Sequence, residues 1–540
     1  MPGPDPVAAA LAVAAHDPQG AIGQLAALVA AQAHLHPAWR QLGDALHAAG
    51  KGAMAVRCYE ASLSSSPADA DAWYGLGRAH AAAGDHAAAA HALQRSVQLE
   101  PHHAAALHEL GRAWFELGCV EHAMGCLRQA LALGNDAVRR QALTNLAVLV
   151  PGSPVDDARS IRSTRQAFAR LLPSAPRRAP RSTRAGPLRV GYVSAFFHQA
   201  HWMKPVWALL RHHDRTAVEV HLFVEGGGVD ATGYAAHAND RIHDLSGLGN
   251  TQVAACIAQA ELDVLVDLNG FSAPERLPVF ALRPAPVQVA WFNQYATTGM
   301  DCFDALIGDG HVVRPEEEVD YDERILRVPH SYLAFQVEHA TPPVAPAPRH
   351  ATGQFTFGAL ASLYKLNDAT LRCWAAILAQ CPDARLLLRN SGLGPANHRA
   401  HLTARLAACG VPAQRVLLLG PAPHLEFLAT YDQVDLALDP FPYSGGTTTM
   451  EALWQGVPVV TLEGDRWAAR TSVSLLRAAG LDAFVARDAR DYVARCVALA
   501  HAPAALDALR AGLRPQLARA PVCDAASLAR AMERIYRTLV

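Results

Sequence analysis

Several things are missing from this sequence. No C-x-x-C pair occurs among its ten cysteines, no apolar run approaches the ~18 residues of a membrane span, and its charge is almost cancelled. Cys58, Cys126, Cys256, Cys373 and Cys496 are scattered through apolar segments, as free core thiols are in a reducing compartment. That pattern argues against a disulfide framework and a structural zinc site. Lys and Arg number 47 against 49 Asp and Glu, a net charge of −2, which gives no reason to expect a nucleic acid or an anionic membrane as partner. The small apolar run at 7–15 has no basic segment before it and is bracketed by Asp5 and Asp17, so it reads as a helix and not as a signal peptide. A soluble, cytoplasmic protein is the expectation. With 51% hydrophobic and 18% charged residues the chain is neither disordered nor collagen-like. Its 540 residues, at about 150 per domain, imply about three to four units.

What is present first is a repeat. Gly43, Gly77 and Gly111 are spaced by 34, as are Leu42, Leu76 and Leu110, and Gly50, Gly84 and Gly118. Trp39 and Trp73, Tyr59 and Leu93, and Pro67 and Pro101 keep the same period. An aromatic, then Leu-Gly, a small residue at the turn and Pro after the second helix form the tetratricopeptide signature. Each unit is a helical hairpin whose apolar face only its neighbour can cover, so the array stacks into a curved solenoid. Helices before Trp39 and around 137–149 are expected to cap it. The concave face suits a protein or peptide, although a passive scaffold would have the same pattern.

The stretch PSAPRRAPRSTRAGP (173–187) is too rich in Pro, Ser and Arg to form a core and reads as a linker. Its Arg177, Arg178, Arg181 and Arg184 could touch phosphate or acid, but solvation is the commoner fate of such a cluster. A second Pro-rich break, TPPVAPAP (341–348), divides the rest of the chain in two. Before it, LRVGYVS, VEVHLFV, LDVLVDLNG, VQVAWF and ILRVPH alternate with helical stretches; after it come FTFGAL, ARLLLRN, RVLLLG, VDLALDP and VPVVTL. Near-continuous apolar strands separated by helices mean parallel sheets covered on both faces. Ligands of such sheets bind beyond the C-terminal strand ends, here in a cleft between two lobes. The expected division is 1–150 for the solenoid, 151–187 for a helix and linker, 188–340 for one lobe and 341–540 for the other. The final helix is a candidate to pack back on the first lobe.

The sharpest motif comes after VDLALDP: DPFPYSGGTTTMEALWQGVPVV (439–460). Gly445 and Gly446 allow close approach of backbone to a ligand, and Thr447 and Thr448 open a helix whose free amides and dipole suit an anion. Without G-K-[ST] or G-x-G-x-x-G the motif argues against a kinase or a dehydrogenase. Ordinary capping is the other meaning, since Thr448 and Glu451 have capping-box spacing. Lys365 comes after FTFGAL at the same sheet edge, where a compact cation can neutralise a phosphate leaving group. In the first lobe His198 and His201 come after the opening strand, placed for a general base or a sugar contact. No H-E-x-x-H or carboxylate cluster accompanies them, so no metal is expected. Asn269, Gln294, Thr297 and Thr298 add hydrogen-bonding groups on that edge, though such residues are also normal in loops.

Together these blocks resemble the O-linked N-acetylglucosamine (O-GlcNAc) transferase family. LRVGYVS, LNGFS, FALRPAPVQVAW, LYKLND and GGTTTMEALWQGVPVVT carry the resemblance over nearly all the chain beyond Leu188, and the repeats agree. The resemblance implies a tetratricopeptide solenoid followed by an α/β GT-B fold of two Rossmann-like lobes. It also implies inverting, metal-independent transfer of N-acetylglucosamine from UDP-GlcNAc to protein Ser/Thr, with no other cofactor. Lys365 then matches the diphosphate-binding lysine, Thr447 and Thr448 the phosphate-binding helix start, and Glu451 the acid on the ribose. Ala422 and His424 match the uracil contacts, and His201 the active-site histidine, with His198 as its rival. The acceptor would be a protein or peptide docked along the solenoid. Where the animal enzymes have a His before the paired Thr this chain has Gly446, Ser362 stands for a Gln, and of the asparagine ladder only Asn145 remains. These departures leave open GDP-fucose or UDP-glucose as donor, and a catalytically idle scaffold that only binds a nucleotide sugar.

Overall fold

In the computed structural model residues 6–31, 37–179 and 186–540 are described. They divide into two compact units. The first holds the residues up to Asn145 together with Gly392–Arg405. Its helices pair as Ala38–Ala48 with Gly52–Ser65, Ala70–Ala82 with His86–Leu99, and Ala104–Glu116 with Val120–Leu133. The 34-residue period has a packing cause. A side chain added at Gly77 would meet Leu93 Cγ at 2.5 Å, one at Gly111 would meet Leu127 Cγ at 2.8 Å, and one at Gly43 would meet Tyr59 at 2.8 Å. Each first helix therefore gives up a side chain so that a large residue of the second can press against its backbone. Gly50, Gly84 and Gly118 have φ between +73° and +78° and make the turn between paired helices. One apolar core runs from Val7, Ala21 and Leu25 through Leu42 and Tyr59 to Leu76, so the helices Pro6–Val13 and Pro18–Ala31 extend the stack.

Residues 392–405, which belong to the 341–540 stretch in sequence, cluster in contacts with the repeats. The reason is local. His398 Nε2 accepts the free amide of His86 at a helix start (3.0 Å), Asn397 donates to the Asp85 cap, and Arg405 donates to the Leu117 carbonyl.

The second unit, Leu146–Ser391 with Leu406–Val540, contains two parallel sheets. The first comprises β1 (Leu188–Ser194), β2 (Val218–Val224), β3 (Arg241–Asp244), β4 (Val264–Asp267), β5 (Val287–Ala290), β6 (Ala305–Gly308) and β7 (Arg324–Arg327), in the order β3-β2-β1-β4-β5-β6-β7. The second comprises β8 (Thr356–Ala359), β9 (Arg385–Arg389), β10 (Val416–Leu419), β11 (Leu436–Leu438), β12 (Val459–Leu462) and β13 (Val485–Ala486), in the order β10-β9-β8-β11-β12-β13. Strand order reverses at β1/β4 in one sheet and at β8/β11 in the other. These are the switch points where crevices open beyond the strand ends.

Three features bind the second unit together. The helix Ala158–Ala169, capped by Asp157 and Ser160, sends Arg165 wholly into the interior. Its guanidinium donates to the carbonyls of Ala147 (3.1 Å) and Thr297 (2.7 Å) and lies 3.8 Å from the Phe271 ring centre. The helix Trp467–Ala478 of the second lobe is buried almost throughout, with Thr471 against Tyr332 (3.1 Å) and Ser474 donating to Asp309 (2.7 Å). The helix Ala525–Leu539 lies on Lys204–His212 of the first lobe, where Tyr536 meets Tyr192 (3.1 Å) and Glu533 meets His213 (3.0 Å).

In the linker Arg177 pairs with Asp304 and Arg178 donates to the Pro284 carbonyl at 3.0 Å, and both residues stay exposed to solvent, as expected of a linker cluster. Arg181 and Arg184 lie outside the described residues. No helix among the described residues is long and apolar enough to cross a membrane.

Candidate active site

The crevice of the second sheet is built by the loop that leaves β11. Asp439 ends that strand, wholly buried, and accepts the Gly445 amide (2.7 Å) and the Thr461 hydroxyl (2.6 Å), which folds 440–446 back on itself. A side chain at Gly445 would meet Thr449 Oγ1 at 2.3 Å, so only glycine fits. The helix Thr447–Trp454 starts at Gly446 with no side chain capping it. Thr447 and Thr448 are half-buried at this opening, and free amides at such a start suit an anion.

Lys365 comes from the turn after β8, and its Nζ donates to the Ser444 carbonyl at 2.7 Å and lies 4.3 Å from the Tyr443 ring centre. Burial pulls the ammonium down to about 8, against the opposing pull of Asp439. A cation held against the glycine turn and a helix start can together neutralise a diphosphate.

The capping box read from Thr448 and Glu451 does not form. Glu451 is wholly inside the helix and accepts Lys204 Nζ at 2.6 Å, an ion pair across the two lobes with both side chains buried. Lys204 also lies 3.3 Å from His424 Nε2, and Glu451 Oε1 lies 3.7 Å from the same nitrogen. His424 opens the helix after β10, with half-buried Ala422 two residues before it. The His201 ring stacks on His424, with centroids 3.5 Å apart and planes at 15°. His339, from the segment crossing between lobes, lies 5.4 Å from His424 and 5.7 Å from His201, centre to centre. Burial and the neighbouring Lys204 lower all three, His339 to about 4 and His424 to about 3, so near neutral pH the imidazoles are uncharged.

Two groups thus form: His201 of the first lobe with His424 and Glu451 of the second, and, within the second lobe, Lys365 with Gly445, Gly446 and the Thr447–Thr448 helix start. His198 is exposed, with its ring 3.3 Å from the Gln199 amide, and has no contact with the first group among the described residues. Thr297 donates to Glu323 at 2.8 Å, and Thr298 donates to the same carboxylate through its amide (2.6 Å) and its hydroxyl. Both are buried and serve the loop rather than an open cleft. Asn269 and Gln294 are also buried. Asn269 accepts the Ala195 amide (2.8 Å), and Gln294 donates to Asp267 (3.0 Å), whose carboxyl burial raises to about 6. Asn269 Nδ2 and Gln294 Oε1 have no partner among the described residues.

Sequence reasoning passed over Lys204, His339, Tyr443 and the carboxyl of Asp439. The M-K-P start of the helix after β1 was the available signal for Lys204; nothing local marks His339. Asn145 bonds His108 at 2.9 Å within the solenoid.

The model of glycosyl transferase family 41 matches residues 172–341 and 350–532. The chain belongs to glycosyl transferase family 41. Tetratricopeptide repeat models match 40–98 and 80–146 of this family 41 chain. It is similar to the probable UDP-N-acetylglucosamine–peptide N-acetylglucosaminyltransferase SPINDLY of Oryza sativa subsp. japonica, 35% identical over 364 residues, 65% of this chain and 39% of that protein. The UDP-N-acetylglucosamine–peptide N-acetylglucosaminyltransferase of Caenorhabditis elegans is 24% identical over 434 residues, 58% of this chain and 37% of that protein. The chain spans about two fifths of the length of these relatives. A solved Thermobaculum terrenum O-GlcNAc transferase mutant superposes with a TM-score of 0.78 at 32% identity, covering 94% of this chain and 97% of that one. The repeat solenoid and the two Rossmann-like lobes of a GT-B glycosyltransferase are therefore the architecture of this family 41 chain.

Proposed function

We propose that the protein transfers N-acetylglucosamine from UDP-GlcNAc to Ser/Thr hydroxyls of proteins, with inversion at the anomeric carbon. The observation that carries the reading is Lys365 Nζ fixed 2.7 Å from the Ser444 carbonyl, beside the glycine turn that opens the Thr447 helix. The names of the similar proteins point the same way. In this reading the acceptor oxygen bonds to the anomeric carbon as the bond to the β-phosphate breaks, and the diphosphate leaves with its charge met by Lys365 and the amides of Thr447 and Thr448. The hydroxyl proton passes to His201, uncharged and exposed at the cleft. Ala422 and His424 take the base and Glu451 the ribose. An acceptor protein would dock along the solenoid.

Lys365→Ala is expected to lower transfer about 10²–10³-fold, as removal of one preorganised donor does elsewhere, while the protein stays folded. Single-turnover assays with circular dichroism check this, and wild-type turnover in the variant removes Lys365 from the mechanism. His201→Ala should abolish the acidic limb of the pH–rate profile; an unchanged limb rules out the base role. Gly446, where the animal enzymes have a His, favours a second reading in which the donor is GDP-fucose or UDP-glucose. A panel of labelled sugar nucleotides with mass spectrometry of modified proteins separates the donors. An idle scaffold would bind UDP in calorimetry yet modify nothing.

A further inference from the structure

A cavity of about 280 Å³ opens beside the His201–His424 stack, lined by the first lobe, the crossing segment and the second lobe. Three of the residues lining it are His201, His339 and His424, brought from the loop after β1, the crossing segment and the helix after β10. One potential ligand nitrogen from each lies within 4.8 Å of the other two. His339 Nε2 is buried with no hydrogen-bond partner among the described residues, a costly condition for a polar atom unless something else binds there. Three imidazoles on separate segments suit zinc and its neighbours, which take imidazole readily and fill remaining positions with water.

We propose that His201, His339 and His424 hold one divalent transition-metal ion of the zinc class, and that this ion bars the nucleotide end of the cleft. The His201 and His424 rings are nearly parallel at 3.5 Å, so they cannot both aim a lone pair at one ion as they stand. His201 is exposed and is the ring that turns. The ion takes the place of Lys204 at His424, and Lys204 keeps its 2.6 Å contact with Glu451, whose carboxylate 3.7 Å from His424 Nε2 offsets the added charge. With His424 ligated, its ring is withdrawn from a base, and first lobe, crossing and second lobe are tied at one point. Binding of the ion stands on these three residues alone; the barring of nucleotide rests on the proposed donor site.

The test uses the full chain stripped with chelator, titrated with Zn²⁺ by calorimetry and with Co²⁺ by visible absorption. One ion per chain is expected, with the Co²⁺ spectrum of an imidazole site, and His339→Gln should weaken binding by about 10–100-fold or more. Thermal unfolding without metal checks that this variant folds. UDP affinity, equal in both proteins without metal, should fall on Zn²⁺ saturation in the wild type and not in His339→Gln. Absence of the ion, or undiminished binding in His339→Gln, overturns the site. Unaltered UDP affinity in the zinc-loaded wild type overturns the barring. Failure of metal-free protein to bind UDP counts against the donor site and leaves the direct metal titration to judge the ion.

Discussion

Lys365 has to be a cation where burial resists charge. Its partners, the Ser444 carbonyl and the Tyr443 ring face, favour the ammonium but do not replace full hydration, and the residue settles at about 8 instead of the usual lysine value. Below that value the free site carries its charge; above it the site is neutral before UDP arrives. A bound diphosphate favours the ammonium, so the free and bound forms separate in proton affinity. UDP affinity is therefore expected to be flat below pH 8 and to fall up to about tenfold per unit above it, until the bound form also loses its proton. Calorimetry across that range in the wild type and in Lys365→Arg is the measurement. The arginine variant should lack the fall, since a guanidinium stays charged, and a wild-type affinity independent of pH would contradict the coupling. Lys365 was legible in the sequence because it comes directly after an apolar strand. Its partners were not: Ser444 and Asp439 come from a different strand end, and only parallel pairing of β8 with β11 brings them near.

At the level of elements, periodicity carried the information. The 34-residue spacing announced the hairpins, and the glycines within it mark where backbone meets side chain, so Gly77 and Gly84 differ in kind. At Gly77 a methyl meets Leu93 Cγ at 2.5 Å, and Leu93 is fully buried. Overpacking of about 1–3 kcal/mol then outweighs the roughly 0.5–1 kcal/mol that alanine gains in a helix interior. Gly77→Ala should lower solenoid stability, and should cost less when made in a Leu93→Ala background, which is itself destabilised by the lost core side chain. Urea unfolding of the double-mutant cycle reads this as a favourable coupling of about 0.5–3 kcal/mol. At Gly84 the space is open and the cost is the positive φ alone. The apolar runs likewise located most of the strands. β13 went unread because it has two residues, and β3 because its sequence RIHD, mostly exposed at the sheet edge, holds no apolar run; β6 is as long as β4 and β5, and its length does not explain why it went unread. The S/T-x-x-E pattern misled for a different reason: the helix begins at Gly446, which places Glu451 past the first turn, where a lysine from the other lobe claims it.

Across the whole second unit, long-range pairs decide how the lobes cohere, and no local pattern encodes them. Lys204 with Glu451 is 247 residues apart, Tyr332 with Thr471 is 139 and Tyr192 with Tyr536 is 344. The helix Ala525–Leu539 is the longest-range of these ties. It leaves the second lobe and buries Leu528, Met532 and Tyr536 on the first, where the Tyr536 hydroxyl joins Tyr192, itself 2.7 Å from His213 Nε2. Removing that ring leaves a cavity beneath β1 and strips a partner from a buried hydroxyl. Tyr536→Ala should therefore cost about 3–5 kcal/mol, and Tyr536→Phe about 0.5–1.5 kcal/mol, the worth of one hydrogen bond, because Tyr192 keeps His213. If the helix serves the first lobe, the loss is local: hydrogen exchange should rise in β1 and β2 while β8 and β11 keep their protection, and UDP binding should outlast the first lobe's order. Equal loss in both sheets would mean instead that the two lobes fold as one cooperative body, with the Trp467–Ala478 interface, not the final helix, as the dominant bond between them.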